Sequence, residues 1–292
     1  MIRQKIHKQI IPTIAFIIMC VFTVTLIVPV LWAIMTSFKS NLDFIRNPFG
    51  MPTKWHFENF ITVFEKMYIT QDMGTGSRPV YLPELFLNSF LWSIASAFTT
   101  ILSRCLVAYV VAKYDFKLGH VIYSTVIVTM ILPIVGSLPS SLSIMKATGV
   151  YDNFFGLAFI KISFTGSEFL FFYAAFKGIS WNYAEAAFID GAGHAKVMFS
   201  IMIPLIMPTI FALGLLNFIG HWNEWTATLI YIPSLPVAAY ALYKFQNNTG
   251  NATSGVPFVM ISCMWIILPV IVLFVTFRNK LMGSITMGGL KG

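Results

Sequence analysis

The sequence predicts an all-α polytopic membrane protein with about six transmembrane helices, and three observations support this fold class. Only 10% of the 292 residues are charged, whereas a typical soluble domain has about 25%. Hydrophobic residues make up 57% of the chain. Three long stretches, between residues 8 and 39, 120 and 146, and 244 and 278, contain no Asp, Glu, Lys or Arg. A bilayer core is crossed by about 20 apolar helical residues, so each stretch is long enough to span it.

The apolar stretches are continuous rather than alternating, which favours helices over a β-barrel. They predict six spans, at about residues 11–38, 85–112, 120–144, 154–177, 200–230 and 257–277. The short segments on the side of the N-terminus are rich in Lys and Arg for their length, so the positive-inside rule places both termini in the cytoplasm. We therefore interpret the formal net charge of +8 as membrane topology rather than as a sign of nucleic-acid binding.

The long segment 39–84 is extracytoplasmic in this topology and is punctuated by Pro and Gly. Its sequence WHFENFITVFEKM predicts an amphipathic helix, because Phe57, Phe60, Ile61 and Phe64 recur at helical spacing. Two interpretations are open. The helix could fold as a cap over the spans, or it could form a contact surface for a partner arriving from outside.

The segment 180–202 lies between the fourth and fifth predicted spans and is cytoplasmic in this topology. Helical spacing predicts a short helix with Trp181 and Phe188 on one face. Gly191 and Gly193 then permit a sharp turn into a second helix. A short helix with an apolar face outside the bilayer needs a surface that covers it. Either a groove on a partner protein or the lipid interface could do so.

This segment resembles the EAA loop of bacterial ATP-binding-cassette (ABC) importer permeases. That pattern is Glu-Ala-Ala, three residues, Gly, nine residues and Ile-x-Ile-Pro, and it is matched by Glu185, Ala186, Ala187, Gly191, Ile201, Ile203 and Pro204. The last Ile of the pattern departs from the usual Leu. A fuller likeness to the maltose-permease-like, carbohydrate branch is carried by Asp190, Ala192, Phe199 and Pro208. The sequences HWNEW at 221–225 and TMGGLKG at 286–292 resemble further elements of this branch.

The resemblance implies a single permease domain over residues 1–292, with a core at about 85–280, an extracytoplasmic loop at 39–84, a coupling loop at 180–202 and a tail at 286–292. It implies that the chain forms half of the pore of a sugar or oligosaccharide importer. The residues expected to dock an ATPase are Trp181, Glu185, Ala186, Ala187, Phe188, Asp190, Gly191 and Ala192. The tail residues expected to make contacts are Gly288, Gly289 and Lys291.

The implied partners are a second permease subunit, two ATPase subunits, an extracytoplasmic sugar-binding protein and the lipid bilayer. The implied location is the bacterial inner membrane. The sequence contains no phosphate-binding G-x-x-x-x-G-K-[ST] loop, so we expect ATP and Mg to be bound by the partner ATPase and no cofactor by this chain. Its three cysteines are far apart and lie in apolar stretches, which predicts free thiols and no metal site.

Four ionisable residues lie within the predicted spans, where charge is costly unless it is paired or faces a cavity. Comparison of their depths predicts two cross-span pairs, Arg104 with Glu168 and Lys161 with Glu224. Three alternatives stay open. The two cations could extend to the membrane interface, Glu168 could bind the partner permease, or Lys161 and Glu168 could interact directly along one helix face.

The most polar intramembrane sequence is SFTGSE, and we predict that it lines the transport pathway. The residues that carry this prediction are Ser163, Thr165, Ser167 and Glu168. Trp222 and Asn223 are further candidates, because sugars favour hydrogen bonds combined with an aromatic face. Trp222 could instead be an anchor at the membrane interface.

Other function classes fit the sequence less well. The EAA motif also occurs in permeases for other solutes, so a non-sugar substrate is an alternative. A membrane enzyme would need a catalytic constellation, yet the five histidines are scattered along the chain. A secondary transporter driven by an ion gradient would be expected to contain an inverted repeat with matching broken helices, and none is visible in the sequence.

Overall fold

A computed structural model describes residues 2–72, 76–132, 136–247 and 255–285. These residues are mostly helical, with one small β-hairpin. The helices are α1 (Ile2–Ser37), α2 (Asn41–Arg46), α3 (Glu58–Lys66), α4 (Leu82–Lys113), α5 (Lys117–Ile131), α6 (Ser137–Ala147), α7 (Phe154–Ile160), α8 (Ser167–Lys177), α9 (Asn182–Ile189), α10 (His194–Val197), α11 (Ile203–Leu205), α12 (Met207–Trp222), α13 (Thr226–Ile230), α14 (Ala238–Asn247) and α15 (Val256–Ile285). The strands are β1 (Tyr68–Asp72) and β2 (Ser77–Tyr81), and a π-helical turn occupies Met198–Met202.

The chain divides into two compact units. The first unit comprises Met1–Met67 and Lys244–Leu268, and the second comprises Tyr68–Tyr243 and Pro269–Gly292. The second unit contains most of the elements that the sequence singles out for function.

Three helices are long and apolar enough to cross a bilayer: Pro12–Ser37 within α1, α4, and Val256–Arg278 within α15. A fourth span is formed if the pair His194–Leu205 and Met207–Trp222, bent by 74°, is counted as one. The described residues therefore give three or four candidate spans, and the count of six stays a prediction.

Two of the predicted continuous spans are broken. Residues 120–144 hold parts of α5 and α6, and α6 begins after Gly136, whose φ of 80° is left-handed. Residues 154–177 hold α7 and α8, separated by a non-helical segment that ends at Gly166, with φ of 128°. Left-handed backbone of this kind favours glycine, since it has no Cβ to clash. Hydropathy detected the apolar runs but not the breaks within them.

The core of the second unit is built around α4, which packs against α8 and α12. The buried face of α4 is made largely of small side chains, which allow the helices to approach closely. Its small buried residues are Ser89, Ser93, Ser96, Ala97, Thr100, Cys105, Ala108 and Ala112. Three phenylalanines of α8, Phe169, Phe172 and Phe176, are fully buried in this core.

A β-hairpin in the segment 68–81 was not predicted from the sequence. Its antiparallel strands pair Tyr68 with Tyr81, and Ile69 with Val80, and the second pair is buried. The Gln71 side chain donates hydrogen bonds to the carbonyl oxygens of residues 233 and 234 at 3.2 and 2.7 Å. The hairpin is therefore fixed to the loop after α13.

In the first unit, α3 confirms the amphipathic helix predicted in the segment 39–84. Val63 is buried, the Phe64 ring lies 4.9 Å from the Trp265 ring, and the Trp265 indole donates to the Phe60 carbonyl at 3.2 Å. Phe57 and Ile61 are exposed instead of buried. The helix thus packs as a cap through one face and leaves part of its apolar surface uncovered in this chain.

Candidate functional site: a coupling loop and a polar network

The segment 180–202 forms the helix–turn–helix that its sequence predicts. The first helix is α9, and the backbone N–H of Asn182 donates to the Ser180 hydroxyl at 3.3 Å just before it. Gly191 has a φ of 80° and makes the left-handed turn, whereas Gly193 is extended and caps α10. Only Gly191 therefore needs to be glycine for conformational reasons.

The inner face of α9 is covered by the chain's own core. Ala184 and Ala187 are buried, and Trp181 and Phe188 pack half-buried against the core around α4 and α8. The sequence predicted that these two large side chains would be exposed anchors for a partner. The structure corrects this orientation: the two small alanines on the same side let that face approach the core closely, and Trp181 and Phe188 pack against it.

The outer face of α9 carries different residues. Ile189 is 86% exposed and Tyr183 is 55% exposed. Glu185, Ala186 and Asp190 are exposed beside them. An open groove of about 580 Å³ runs along this face and is lined by Ser180, Asn182, Tyr183, Ala186, Ala187, Asp190 and Ile201. Sequence reasoning missed Tyr183 and Ile189. Helical spacing from the inward-facing alanines places Ile189 on the opposite side, whereas Tyr183, four residues before Ala187, lies at the edge of the inner face beside the groove.

The second helix of the loop leads into the core through an irregular path. α10 is followed directly by the π-helical turn, and Pro204 then lies near the start of α11. A bend of 74° separates this stretch from α12. The predicted tail contacts Gly288, Gly289 and Lys291 fall outside the described residues.

The predicted pair of Arg104 and Glu168 is confirmed. The Arg104 guanidinium donates to Glu168 Oε2, and Asn217 Nδ2 of α12 donates to Glu168 Oε1 at 2.9 Å. Both charged side chains are less than one-fifth exposed. A Cβ at Gly166 would lie 2.8 Å from Arg104 Cζ, so glycine is needed there for space as well as for its φ. The network joins α4, α8 and α12.

The predicted pair of Lys161 and Glu224 is also confirmed, with Nζ and Oε1 3.2 Å apart. His221 Nδ1 lies 2.8 Å from Glu224 Oε2, and the Lys161 ammonium lies 5.5 Å above the Trp92 ring. Sequence reasoning missed His221, although its spacing of three residues from Glu224 places both near one turn. Lys161 and Glu168 therefore have separate partners, one at each end of the break between α7 and α8.

The candidate pathway residues are only partly brought together. Ser163 Oγ and Thr165 Oγ1 lie 2.8 Å apart in the break, and Ser103 Oγ donates to the Ser163 carbonyl at 3.0 Å. Ser167 is exposed at the start of α8, beside Glu168. These polar groups form one cluster next to the Arg104 network.

Trp222 and Asn223 lie elsewhere. Trp222 is 1% exposed and packs among the rings of Phe86, Phe90 and Phe218. Its side chain therefore fills the core of this chain rather than an open face or a membrane interface. Asn223 is exposed, but its Nδ2 donates to the Ile219 carbonyl at 2.9 Å.

Comparisons with known proteins agree with this architecture. Residues 105–282 match the family described as "Binding-protein-dependent transport system inner membrane component". The chain is 26% identical over 279 residues to the diacetylchitobiose uptake system permease protein NgcG of Streptomyces coelicolor, covering 93% of this chain and 86% of the relative. It is 24% identical to the trehalose/maltose transport system permease protein MalG of Thermococcus litoralis, covering 99% of each.

The fold is shared with a chain in the crystal structure of a bacterial ABC transporter involved in the import of the acidic polysaccharide alginate. The TM-score is 0.75 at 20% identity, and the match covers 94% of this chain and 97% of that one. The family match spans more than half of the sequence. It includes the segment 180–202, α12, and every residue of the two ion pairs other than Arg104. The chain belongs to the family of inner membrane components of binding-protein-dependent transport systems.

Proposed function

We propose that the chain is the permease subunit of an ABC importer for a sugar or oligosaccharide, and that the outer face of α9 docks a separate ATPase. One observation carries the docking proposal. α9 is anchored to the core by one face and leaves an open groove on the other, with Ile189 almost fully exposed. A rigid helix with an exposed apolar side chain beside a groove is suited to a protein partner.

The sugar substrate is supported by the names of the relatives. They include permease proteins for diacetylchitobiose, for trehalose and maltose, and for arabinooligosaccharides. A non-sugar solute is the alternative and finds no support in these names. Transport driven by an ion gradient is disfavoured, since the family is defined by dependence on a binding protein.

The proposed docking surface gains two residues that the sequence did not predict, and four predicted residues take supporting roles instead. The surface keeps Glu185, Ala186 and Asp190 from the prediction, and Tyr183 and Ile189 are added to it. Trp181 and Phe188 support the helix from beneath instead of touching the ATPase. Gly191 and Ala192 shape the turn, and Ala187 lines the base of the groove. The tail at 286–292 remains a second proposed contact.

The remaining features follow from the family. We propose six crossings with both termini in the cytoplasm of a bacterial cell, a second permease subunit, two ATPases and an external sugar-binding protein. The exposed apolar surface of α1 would face lipid or the second permease. ATP and Mg would be bound by the ATPases, whose closure would act on α9 and change the access of the pore.

The transport pathway is proposed to pass the break between α7 and α8. Discontinuous helices at membrane depth supply polar backbone groups to substrates, and unpaired backbone is tolerated there only beside a cavity or within protein. Ser163, Thr165, Ser167 and Glu168 cluster at this break. Trp222 is withdrawn from the proposed pathway because it is buried in the core.

The docking proposal is tested by co-purification of the ATPase with the permease from cells that express the whole importer. Ile189→Glu should abolish co-purification, because it places an unpaired charge in an apolar contact. Ile189→Leu is the matched control and should retain the ATPase. Equal recovery of the ATPase with both variants would contradict docking at this face.

The substrate proposal is tested by uptake into proteoliposomes that contain the complete importer, using a panel of labelled sugars and peptides. Uptake of a sugar that requires ATP and the binding protein supports the proposal. ATP-dependent uptake of a peptide alone would favour the non-sugar alternative. Uptake without the ATPase would contradict an ABC importer altogether.

A further inference from the structure

Four rings close a cycle of contacts under the inner face of α9. The ring centroids are 5.7 Å apart for Tyr114 and Trp181, and 6.0 Å apart for Trp181 and Phe188. They are 4.8 Å apart for Phe188 and His194, and 5.7 Å apart for His194 and Tyr114. The Tyr114 hydroxyl and His194 Nδ1 lie 2.8 Å apart, so they share a hydrogen bond. We call these four residues the ring joint.

The ring joint connects segments that are distant in sequence. Tyr114 directly follows the last residue of α4, Trp181 directly precedes α9, and His194 is the first residue of α10. The C-terminal end of α4 therefore contacts the coupling loop on both sides of α9.

A second attachment reinforces the first. The Lys113 ammonium, at the end of α4, donates to the Ile179 carbonyl at 2.6 Å in the short segment between α8 and α9. A charged donor makes this hydrogen bond stronger than a neutral one. The last residue of α4, Lys113, and the residue after it, Tyr114, thus hold the loop that leads into α9 and the turn that leaves it.

The covalent connections of α9 are less direct. Towards α8 the chain passes Gly178, and towards α12 it passes the turn at Gly191, the π-helical turn and a bend of 74°. Helix α4 has no covalent neighbour in the loop, yet it carries Arg104, which binds Glu168 at the break beside the proposed pathway. A displacement of α9 reaches α4 only through non-covalent contacts.

We propose that the ring joint makes α4 move together with α9 and α10 as one body, so that work done on α9 is delivered through α4 to the Arg104 network. Tyr114 and His194 are positioning residues for this coupling. The inference rests on the proposed docking of an ATPase at α9. Coupling of this kind needs a demonstrated element that both sites displace, so the test measures movement as well as transport.

Movement is tested in the complete importer with spin labels at Val110→Cys on α4 and Lys196→Cys on α10, after the native cysteines are replaced by alanine. Both positions are exposed. In the importer with an intact ring joint, we expect the distance between the two labels to stay the same when a non-hydrolysable ATP analogue is added. In the Tyr114→Ala background, we expect the analogue to shift or broaden that distance. A distance that changes with nucleotide in the unmodified joint would overturn the proposal.

Transport is tested by the number of sugar molecules taken up per ATP hydrolysed. Tyr114→Phe and His194→Phe keep a ring at each position but remove the same hydrogen bond. Each should lower the ratio about fivefold, the factor that corresponds to one hydrogen bond of ordinary net strength. The double variant should lower it no further, because the bond can be lost only once.

Tyr123→Phe is the matched control, since the Tyr123 ring packs on Tyr173 at 4.8 Å and makes no ring contact with the ring joint among the residues that the structure describes. It should keep the wild-type ratio. Wild-type ratios in all three joint variants, with the ATPase bound, would overturn the inference and leave the proposed function intact. Absence of the ATPase from the wild-type complex would contradict the proposed function itself.

Discussion

Helices α1 and α4 are both long enough to cross a bilayer, yet the more apolar of the two is the less buried. The apolar stretch of α1 has a mean hydropathy of 2.8, and 0% of it is buried within the chain. The corresponding stretch of α4 has a mean hydropathy of 1.7, and 44% of it is buried. In a soluble protein the order would be reversed, because burial there follows hydrophobicity.

The difference follows from the solvent. Lipid tails are as apolar as Leu or Ile, so a helix gains little by hiding such residues from the bilayer. α4 instead buries serines, alanines and Asn88, whose amide donates to the Pro236 carbonyl at 2.9 Å. α1 presents Val, Ile, Leu and Phe on all sides. Small and polar residues, rather than apolar ones, therefore mark the helix that organises the core.

We expect the largest effect on stability when a phenylalanine from the buried core around α4 is compared with one from the exposed surface of α1. Phe172 of α8 is fully buried against the core around α4, whereas Phe22 of α1 is 61% exposed. Phe172→Ala should lower the free energy of unfolding by about 3–5 kcal/mol, because it leaves a cavity. Phe22→Ala should change it by less than about 0.5 kcal/mol. Thermal unfolding of the purified chain in detergent measures both.

Similar losses in the two variants would contradict the comparison, since they would show that α1 is packed within the chain itself. Measuring the stability of the same two variants in the complete importer extends the comparison between α1 and α4. If Phe22→Ala becomes destabilising only there, the second permease rather than lipid covers that part of α1.

A smaller effect is expected at the polar contact between α4 and α8. Glu168→Ala should destabilise the chain by about 1.5–3 kcal/mol, because it leaves Arg104 partly buried without its charged partner. The double variant Arg104→Leu with Glu168→Leu should recover much of the loss, since apolar replacement of a buried pair is often neutral. Thermal unfolding measures both, and a double variant as unstable as the single one would argue that the network also orders the break.

The smallest predicted effect on stability comes from enlarging one small buried residue of α4. Ser96 is fully buried, and its hydroxyl has no hydrogen-bond partner among the described residues. Ser96→Leu should cost about 1–3 kcal/mol through overpacking, whereas Ser96→Ala should be nearly neutral. Thr25→Leu on α1 is the matched control, because Thr25 is exposed and its hydroxyl donates to the Phe22 carbonyl within the same helix. Measurable loss from Thr25→Leu would contradict the comparison.

Local patterns in the sequence predicted several features correctly. Helical spacing correctly predicted α3 and α9, and the glycine at position 191 correctly predicted the turn. The membrane depths of the four charged residues correctly predicted both ion pairs. Each of these depends on neighbouring residues or on one strong constraint, such as the cost of an unpaired charge in the membrane.

Features that depend on tertiary context were not predicted. Hydropathy does not change where a helix is interrupted, so the breaks at Gly136 and before Gly166 were missed. The hairpin at 68–81 is short and contains Pro79, which weakens its strand signal. The direction of Trp181 was misjudged because its face is decided by the core beneath α9, and a helical pattern alone does not say which side is covered.

The π-helical turn at Met198–Met202 has a geometric consequence for α12. A π turn holds one residue more than an α-helical turn, and each residue of an α-helix advances it by about 100° around its axis. Deletion of a single residue within this turn would restore regular winding and rotate everything that precedes it against everything that follows. The orientation of α9 about the axis of the downstream helix is thus encoded by one surplus amino acid.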